Sequence, residues 1–455
     1  MRIRNKIDSP KLFILITGLV MILVSNNFNW TKESWKHILE ADAKGYYAYL
    51  PATFIYHDLN FGFFDEIEKE KYYNPNTYYD YRSGSNKKVI NKYYAGTALA
   101  ELPFFLVAHL YASVTDSLAD GFSKPYMFSV SVAALFYFLS GLLMLNRILE
   151  MYSISKWNRV WVIVACTFGT NLFYYVVSEP GLSHVFSFFF FTAFIYTAKR
   201  YFLSGDLRWL LFLSLTTGMI VLIRPVNGLI LFSVPFIAGE WKTLKEDLVL
   251  RLIKEPLKML LIMVAGSLIV FLQLIIYKVS TGNYIVYSYG EEGFDFLHPH
   301  LIDILFSYKK GLFLYTPIYL VSLFGLYKLW KDSTFTATSL FLFLFVTTYV
   351  FSSWWMWYYG GSFSSRVFVE FLPFFMISLG ILLESRLRKK LIIPVIVILT
   401  IVCQIQIFQY RYYEIHWSEM TKEKYWNVFL RVDRLINKET NPVPPVEGSE
   451  TSSPQ

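Results

Sequence analysis

Long apolar runs dominate this chain of 455 residues and constrain its fold more than any other feature. A helix needs about 17–25 predominantly apolar residues to cross the hydrocarbon core of a bilayer, and about eleven runs reach this length. They lie at 12–28, 93–113, 125–146, 158–177, 183–203, 208–238, 258–279, 311–330, 335–352, 367–384 and 391–409. The sequence therefore predicts an all-α fold, a polytopic transmembrane helical bundle of about eleven spans with a range of roughly 10–13.

The composition excludes a soluble enzyme of this size. Charged residues make up 17% of the chain and hydrophobic residues 55%, whereas an ordinary soluble domain is roughly 25% charged. We therefore expect the lipid bilayer to cover the excess apolar surface. The net charge of +8 is spread over loop ends without a nucleic-acid-binding motif, so no nucleic acid partner is expected.

The N-terminal region sets the predicted orientation. Basic residues precede the first run, and no small-residue cleavage site follows it, so this run is predicted to be a retained span rather than a signal peptide. Because positive charge stays on the cytoplasmic side, we expect a cytoplasmic N-terminus. Simple alternation of the spans then places Lys199, Arg200 and Arg208 outside, against the same tendency.

The run 208–238 is too long for one straight crossing and is interrupted at Arg224-Pro225. Proline inside a helix removes a hydrogen bond and clashes with the preceding turn. The run is therefore predicted to be either one tilted helix or two half-helices.

Three polar stretches, at 29–92, 280–310 and 353–366, are all predicted to lie on the extracytoplasmic side and could form one site. Beyond the predicted transmembrane domain (1–410), we expect an amphipathic segment at 411–438 and a disordered tail at 439–455. In the first polar stretch, short amphipathic helices along the membrane interface are predicted from the helical spacing of Trp35, Ile38, Leu39, Tyr46, Tyr49 and Leu50.

Two carboxylates, Glu40 and Asp42, open the first polar stretch. Side chains two residues apart point the same way in an extended or turning segment. One carboxylate could then take a proton from an attacking group while the other orients it or holds a metal. A solvated, functionless pair is the alternative, because charged loops often contain such pairs by chance.

Three basic residues are candidates for binding a phosphate. Arg224 and Arg366 lie within or beside apolar helices, where a charge is costly, and the guanidinium fork matches phosphate oxygens. Lys310 is a further candidate at a helix entrance. The alternatives are an interfacial snorkelling role for Arg366 and a purely structural partner for Arg224.

A resemblance to a known family is carried by the first loop and by two later motifs. Glu40-Ala-Asp42 is followed by Gly45-Tyr-Tyr-Ala-Tyr-Leu50. The later motifs are Gly311-Leu-Phe-Leu-Tyr-Thr-Pro317 and Trp357-Tyr-Tyr-Gly-Gly-Ser-Phe-Ser-Ser-Arg366, which leads into Glu370-Phe-Leu-Pro373. This layout resembles the GT-C superfamily of membrane glycosyltransferases, and is similar to bacterial proteins related to protein O-mannosyltransferases and aminoarabinose transferases. The proline-rich opening of the second helix in many relatives appears here only as Tyr93-Tyr94-Ala95-Gly96 with Pro103 later. No large folded domain of the kind that oligosaccharyltransferases carry is expected after the last span.

The resemblance implies transfer of a sugar from a polyprenyl-phosphate donor to an extracytoplasmic lipid, glycan or protein acceptor, usually with inversion. It implies a bacterial plasma (inner) membrane location and an extracytoplasmic active site. Asp42 would be the base, with Glu40 as supporting carboxylate. No cofactor is required when the donor is already activated, and a divalent metal at Glu40 and Asp42 remains open.

Further candidates would contact the sugar or the lipid. Aromatic rings can stack on a sugar face, although an aromatic belt at the membrane interface is the alternative. A Gly-Gly turn can bring backbone amides close to a ligand. These candidates are Tyr46, Tyr47, His184, Trp357, Tyr358, Gly360 and Gly361. Glu179 is a weaker candidate than His184, and His298 and His300 lack a clear third ligand for a metal.

Two other functions compete with the transferase. A lipid transporter or flippase would show internal repeats and paired broken helices, but only the Arg224-Pro225 break is visible and the two halves show no repeat. A polymerase or ligase of surface polysaccharide is the other alternative. Its large outer loop usually comes late in the chain, whereas here the largest loop is the first.

Overall fold

The computed structural model of the protein describes residues 9–75, 78–85 and 88–436. Within these residues the regular structure is helical apart from one hairpin, so the predicted all-α fold is confirmed for them. The predicted tail at 439–455 and the last two residues of the segment 411–438 lie outside the described residues.

The first third of the chain builds three long apolar helices and, between the first and the second of them, a compact polar region. The hairpin pairs Arg82 with Asn91 and Ser85 with Lys88 in antiparallel register. Shorter helical turns flank these elements at Asn26–Trp30, Ser34–His37 and Asp65–Lys71. In order the elements are α1 (Ser9–Ser25), α2 (Asp42–Phe54), β1 (Arg82–Ser85), β2 (Lys88–Asn91), α3 (Gly96–Val114) and α4 (Lys124–Met151).

The remaining helices form the rest of the bundle. Non-α helical turns occupy Pro225–Ser233, Lys245–Val249 and Arg366–Phe368. The α-helices are α5 (Lys156–Phe168), α6 (Leu172–Val177), α7 (Ser183–Ser204), α8 (Leu207–Ile223), α9 (Val234–Ala238), α10 (Trp241–Leu244), α11 (Leu250–Lys254), α12 (Pro256–Thr281), α13 (Leu301–Phe306), α14 (Leu312–Tyr315), α15 (Ile318–Asp332), α16 (Thr334–Ser352), α17 (Leu372–Leu383), α18 (Arg386–Arg411), α19 (Lys422–Val428) and α20 (Val432–Ile436).

The prediction of about eleven spans is wrong by the criteria of length and apolarity. Among the described residues, 6 helices meet both criteria: Ser9–Trp30, Gly96–Val114, Lys124–Met151, Pro256–Thr281, Thr334–Ser352 and Lys390–Arg411. Their apolar character supports a membrane protein.

The other predicted runs do not form long apolar helices, because the backbone breaks inside them or because polar residues lower their mean hydropathy. The run 158–177 divides into α5 and α6, and the run 311–330 divides before α15 at Pro317. In the run 367–384, α17 has only 12 residues. Counting apolar residues along a sequence does not detect such breaks, which is why the runs appeared longer than the helices.

The helix α17 lies at the centre of the bundle, and α12 and α18 lie at its edge. Every residue of α17 from Leu372 to Leu383 is buried. By contrast, only 17% of the apolar window of α12 and 22% of that of α18 are buried inside the protein. Apolar side chains exposed in such numbers fit helices that face lipid.

The first polar stretch differs from its prediction of amphipathic helices along an interface. The helix α2 is buried on nearly all sides, and Tyr46, Tyr47 and Tyr49 are each at most 5% exposed. Helical spacing identified the helix but not its environment, since the residues between the apolar positions, such as Ala43 and Lys44, are also buried.

The segments before and after α3 both contact this first stretch. Tyr93 lies just before α3 and donates a hydrogen bond to Asp42, at 2.7 Å. Asp120 lies just after α3, accepts a hydrogen bond from the Tyr72 hydroxyl at 2.7 Å and forms an ion pair with Lys71 at 2.8 Å. One polar region therefore covers both ends of a helix that is long enough to span a membrane.

Candidate functional site

Asp42 is the first residue of α2 and enters the helix through a tight turn. The preceding Ala41 has a φ of 46°, a conformation that non-glycine residues rarely adopt. A carboxylate in the first turn of a helix is favoured by the partial positive charge at the helix N-terminus. The turn directs Asp42 inward, where its Oδ2 accepts a hydrogen bond from Arg366 Nη2 at 2.7 Å and its Oδ1 accepts one from the Tyr93 hydroxyl at 2.7 Å.

Arg366 reaches Asp42 from a loop 324 residues further along the chain. Tyr359, Gly360 and Ser364 have φ values of 54°, 66° and 58°, so the chain reverses sharply before Arg366. The Arg366 side chain is 14% exposed and that of Asp42 is 20% exposed. Arg366 Nε is buried and has no hydrogen-bond partner among the described residues. The Asp42–Arg366 pair is thus largely enclosed but accessible to a ligand, and the Arg366 Nε donor is not used by the described residues.

This environment determines the charge state of Asp42. Burial by itself raises the pKa of the Asp42 carboxyl, but the Arg366 charge and the hydrogen bonds from Tyr93 and Arg366 outweigh it, and the pKa falls below its usual value. Burial lowers the pKa of Arg366, but the neighbouring Asp42 more than compensates, so that the pKa is raised. At neutral pH the pair is therefore an ionised carboxylate beside a guanidinium.

A second charged cluster is built on Glu370, one helical turn after Arg366. Its Oε1 accepts a hydrogen bond from Arg224 Nη1 at 3.1 Å and lies 3.0 Å from His184 Nδ1. The Glu370 side chain is fully buried, and its Oε2 has no partner among the described residues. Arg224 ends α8, and the 3₁₀ turn Pro225–Ser233 follows it, so the run 208–238 is broken at the position that the sequence indicated.

Lys310 is buried beside the Arg366 loop. Its Nζ donates a hydrogen bond to the Ser362 carbonyl and lies 4.9 Å from the centre of the Tyr410 ring. Burial lowers the pKa of Lys310 to about 7, although the nearby Glu179 carboxyl opposes this shift. A phosphate bound next to Lys310 would restore its charge.

The three polar stretches of the sequence contact one another in the structure. Besides the Asp42–Arg366 pair, Lys92 Nζ lies 2.5 Å from Glu292 Oε1. The Asp295 amide donates to the Ser353 carbonyl at 2.7 Å. Residues from 29–92, 280–310 and 353–366 thus enclose one site.

The two neighbouring tyrosines of α2 that were predicted to contact sugar or lipid point in different directions. The Tyr46 ring packs against Tyr93, with centroids 4.7 Å apart, and so lies beside Asp42. The Tyr47 hydroxyl instead donates to the Gly121 carbonyl at 2.5 Å, away from the carboxylate. Successive helix residues do not share a face, which explains the difference.

The predicted aromatic and glycine contacts lie at the edge of the site. Trp357 stacks on His300, with centroids 5.7 Å apart, and Lys309 Nζ covers the Tyr358 ring at 3.5 Å. Gly360 supplies one of the positive φ values of the turn. A Cβ added to Gly361 would lie no closer than 3.8 Å to a neighbouring side chain, so the turn is open there.

Glu40 and Asp42 do not face the same ligand or metal position. Its Oε1 lies 2.7 Å from His37 Nδ1, and its side chain is 43% exposed. His298 and His300 each lie 2.9 Å from their own acids, Asp295 and Asp303. Within the part of the chain that the structure describes, no three His, Cys, Asp or Glu side chains form a group that could hold a metal ion.

Two residues at the centre of the site had no role in the sequence analysis. Tyr93 opens the apolar run 93–113 and was indistinguishable from the many tyrosines that precede it. Glu370 gave a stronger signal, because it is an acid within the apolar run 367–384, and a charge in such a run is presumed to be functional.

A comparison with protein-family models and with curated proteins finds no match to this chain. The chemical capacity of the site therefore rests on its geometry. An ionised carboxylate can accept a proton, and the adjacent cation with a free donor can bind an anion.

Proposed function

We propose that this protein is an integral-membrane glycosyltransferase of the GT-C type. It moves a sugar from a polyprenyl-phosphate donor to an extracytoplasmic acceptor, which is a lipid, a glycan or a protein. Asp42 is the base, and Arg366 binds the donor phosphate.

The observation that carries this proposal is the enclosed pair of Asp42 and Arg366, whose charged atoms lie 2.7 Å apart. Transfer from a lipid phosphate needs a base for the acceptor hydroxyl and positive charge for the leaving phosphate. The pair supplies both the base, which is Asp42, and the positive charge, which is on Arg366. A bound phosphate would compete with Asp42 for the guanidinium and so release the carboxylate to accept a proton.

The nearby cations favour a phosphate over a neutral ligand. Arg224 lies within electrostatic range of Tyr46, and Lys310 within range of Arg366. The bond formed is between the acceptor oxygen and the anomeric carbon, and the bond broken joins that carbon to the phosphate oxygen. Attack from the face opposite the phosphate inverts the anomeric centre.

The contacts around α3 bear on the orientation that accompanies this proposal. If both ends of α3 lie on the side of the first stretch, α3 does not cross, and the side assigned to the segments between α4 and α8 is reversed. Lys199, Arg200 and Arg208 then lie on the side of the N-terminus, as the positive-inside tendency requires. Because the run 208–238 breaks at Arg224 into two half-helices that can return to their starting side, the stretches 280–310 and 353–366 stay on the side of the first stretch, which they contact. The proposal accordingly puts the first stretch and Asp120 on the extracytoplasmic side.

Single cysteines test this orientation. Asp116 and Arg208 are exposed, and the two native cysteines are buried and need not be replaced. We expect Asp116→Cys to react with a membrane-impermeant thiol reagent added to intact cells, and Arg208→Cys to react only after permeabilisation. The reverse pattern would refute the orientation.

A transporter for lipid-linked sugars is the second candidate. It is favoured by the break at Arg224 and by the buried charges of Arg224, Glu370 and His184 beside that break, because broken helices and buried charges mark transport paths.

One experiment separates the two functions. Purified protein in proteoliposomes is given radiolabelled polyprenyl-phosphate sugars together with membrane acceptor extracts. A transferase releases free polyprenyl phosphate in step with labelling of an acceptor. Movement of intact sugar lipid between leaflets without cleavage would replace the transferase by the transporter.

A further inference from the structure

A third carboxyl beside the site takes no part in the roles given so far. Glu179 lies in the short connection between α6 and α7. Its Oε1 accepts a hydrogen bond from the Tyr174 hydroxyl at 2.9 Å. Its Oε2 is buried and has no partner among the described residues. A buried carboxyl oxygen without a partner is costly, and such a cost is commonly retained where a ligand supplies the missing contact.

Aromatic rings join Glu179 to the surroundings of Lys310. The Tyr174 ring lies 5.2 Å from that of Tyr410, and the Tyr410 ring lies 4.9 Å from Lys310 Nζ. The titratable and charged groups that act on Glu179, or on which it acts, come from all sides of the site: Glu40, Asp42, Tyr174, Tyr175, Lys310, Arg366, Tyr410 and Tyr413.

These surroundings let Glu179 hold a proton up to near neutral pH. Burial raises the pKa of the Glu179 carboxyl to about 7, although Arg366 and the Tyr174 hydrogen bond act in the opposite direction. Asp42, by contrast, has a lowered pKa. Two acids near one guanidinium therefore differ in protonation at neutral pH, an arrangement that separates a base from an acid.

Cations lie around the proposed phosphate position. Arg224 and Lys310 each act electrostatically on Arg366, which lies beside Asp42. The positive charge of these three cations favours the binding of a sugar phosphodiester.

We propose that Glu179 is the acid that protonates the phosphate as it leaves the sugar. This inference rests on the proposed function. The acceptor oxygen bonds to the anomeric carbon while its proton passes to Asp42. The bond from that carbon to the phosphate oxygen breaks with its electron pair on the phosphate, and Glu179 gives its proton to a phosphate oxygen. Asp42 then releases a proton to water, and Glu179 takes one up.

The proton has a suitable destination. A phosphate monoester has a second pKa of about 6, so the dianion formed on cleavage accepts a proton near neutral pH. An acid is most effective when its pKa lies near the working pH. Protonation also removes one negative charge from the product, which lets polyprenyl phosphate leave the three cations.

The first test is the pH dependence of kcat in Glu179→Gln. Because a proton donor must be protonated, the wild-type kcat should fall as pH rises above about 7. In Glu179→Gln, kcat at pH 6.5 should be roughly tenfold lower and should show no such fall up to pH 8.5, while the donor KM changes less than about threefold. Glu33→Gln is the matched control, because Glu33 is 73% exposed in the same polar region.

The second test moves the pKa without removing the acid. The Tyr174 hydrogen bond lowers the pKa of Glu179, so Tyr174→Phe should shift the fall in kcat to higher pH. A loss of structure would lower kcat at every pH and would not displace its midpoint. Loss of charge on Lys310 should appear in the donor KM instead, because a lysine that binds phosphate contributes to affinity.

Infrared difference spectra supply a measurement independent of turnover. We expect a protonated carboxyl band that disappears with a midpoint near pH 7 in the wild type and is absent in Glu179→Gln. If the wild type transferred sugar and Glu179→Gln had the same kcat and the same pH dependence as the wild type, the role of Glu179 would be wrong and the proposed function would stand. Absence of donor cleavage by the wild type would instead overturn the proposed function, and this inference with it.

Discussion

The Asp42–Arg366 pair and the Glu370 cluster use the same kinds of residue one helical turn apart, yet their surroundings differ. In the first, both side chains keep 14–20% exposure and Arg366 Nε has no partner among the described residues. In the second, Glu370 is fully buried and its Oε1 is shared by Arg224 and His184. Both members of the first pair are partly accessible to a ligand. In the second cluster Arg224 is 18% exposed, but the Glu370 carboxyl is inaccessible, although its Oε2 has no partner among the described residues. For this reason we call the first cluster open and the second closed.

The elements that each cluster joins reinforce the contrast. Asp42 opens α2, and Arg366 opens the turn Arg366–Phe368 after a sharp reversal of the chain. Glu370 connects the segment before α17 to the broken end of α8 and to the first turn of α7. Removing one member of a closed ion pair leaves an uncompensated charge. We therefore expect the first cluster to carry the chemistry and Glu370 to act in helix assembly, while Arg224, which is 18% exposed, can also contribute positive charge near a bound phosphate.

The largest effect on activity is expected from Asp42→Asn. Loss of a general base typically lowers the rate by about 10²–10⁴-fold, whereas the amide can still accept the Tyr93 hydrogen bond. Sugar transfer by purified protein measures the loss, and thermal unfolding checks that the fold is kept. Asp65→Asn is the matched control, since Asp65 is a 56% exposed acid of the same polar region. Near-normal transfer by Asp42→Asn would remove Asp42 from the mechanism.

The largest effect on stability is expected from Glu370→Gln. Breaking a buried ion pair from one side costs about 3–5 kcal/mol. Unfolding in detergent should therefore show a clearly larger loss than in Asp42→Asn. The double variant Arg224→Met/Glu370→Met removes both charges and should recover part of the loss. Equal stability of Glu370→Gln and the wild type would break the distinction between the two clusters.

The contrast also shows what the sequence could and could not indicate. Asp42, Arg366 and Arg224 were recognisable because each is a charge at an unusual place, next to a span or within an apolar run. Their grouping into two clusters was not, because it depends on which way each side chain leaves its backbone. The turn at Ala41 separates Asp42 from Glu40, although spacing alone suggested that they act together.

Span counting failed for a related physical reason. Hydropathy records how apolar a run is, but not whether its backbone continues as one helix. The run 158–177 stops at Gly169–Asn171 and restarts as α6. The helix α7 is 22 residues long, but its composition, which includes His184, Lys199 and Arg200, keeps it outside the six apolar helices.

Replacement of Arg366 is expected to have the next largest effect. Losing a charge-assisted contact to phosphate costs about 1.5–3 kcal/mol, or roughly ten- to a hundredfold in binding or rate. Arg366→Lys should recover only part of this, because an ammonium lacks the planar fork. Release of polyprenyl phosphate and transfer of sugar should slow together.

The same variant has a second consequence, in the pH dependence. Arg366 is the main group that lowers the pKa of Asp42 against burial. Without it the carboxyl takes up a proton at higher pH, so activity should be lost earlier on acidification. Arg366→Lys should show a smaller displacement than Arg366→Ala. If activity were lost at the same pH on acidification in the wild type, Arg366→Lys and Arg366→Ala, Asp42 would not be the group that must be ionised.

The smallest effect is expected from Tyr93→Phe. The Tyr93 hydroxyl donates to Asp42 Oδ1 at 2.7 Å and lies 2.5 Å from the Tyr79 hydroxyl. One hydrogen bond contributes about 1 kcal/mol net, so transfer should fall about fivefold. The acid limb of the pH profile, where activity is lost on acidification, should again move to higher pH, because this hydrogen bond lowers the pKa of Asp42.

Tyr47→Phe is the matched control for that variant, because the Tyr47 hydroxyl bonds to the Gly121 carbonyl and not to the site. It removes the same hydroxyl from a neighbouring buried position and should leave the acid limb in place. If Tyr47→Phe moved the limb as far as Tyr93→Phe, the shift would report general loosening around α2. A shift confined to Tyr93→Phe would instead show that direct contacts hold Asp42 ionised, as the role of a base requires.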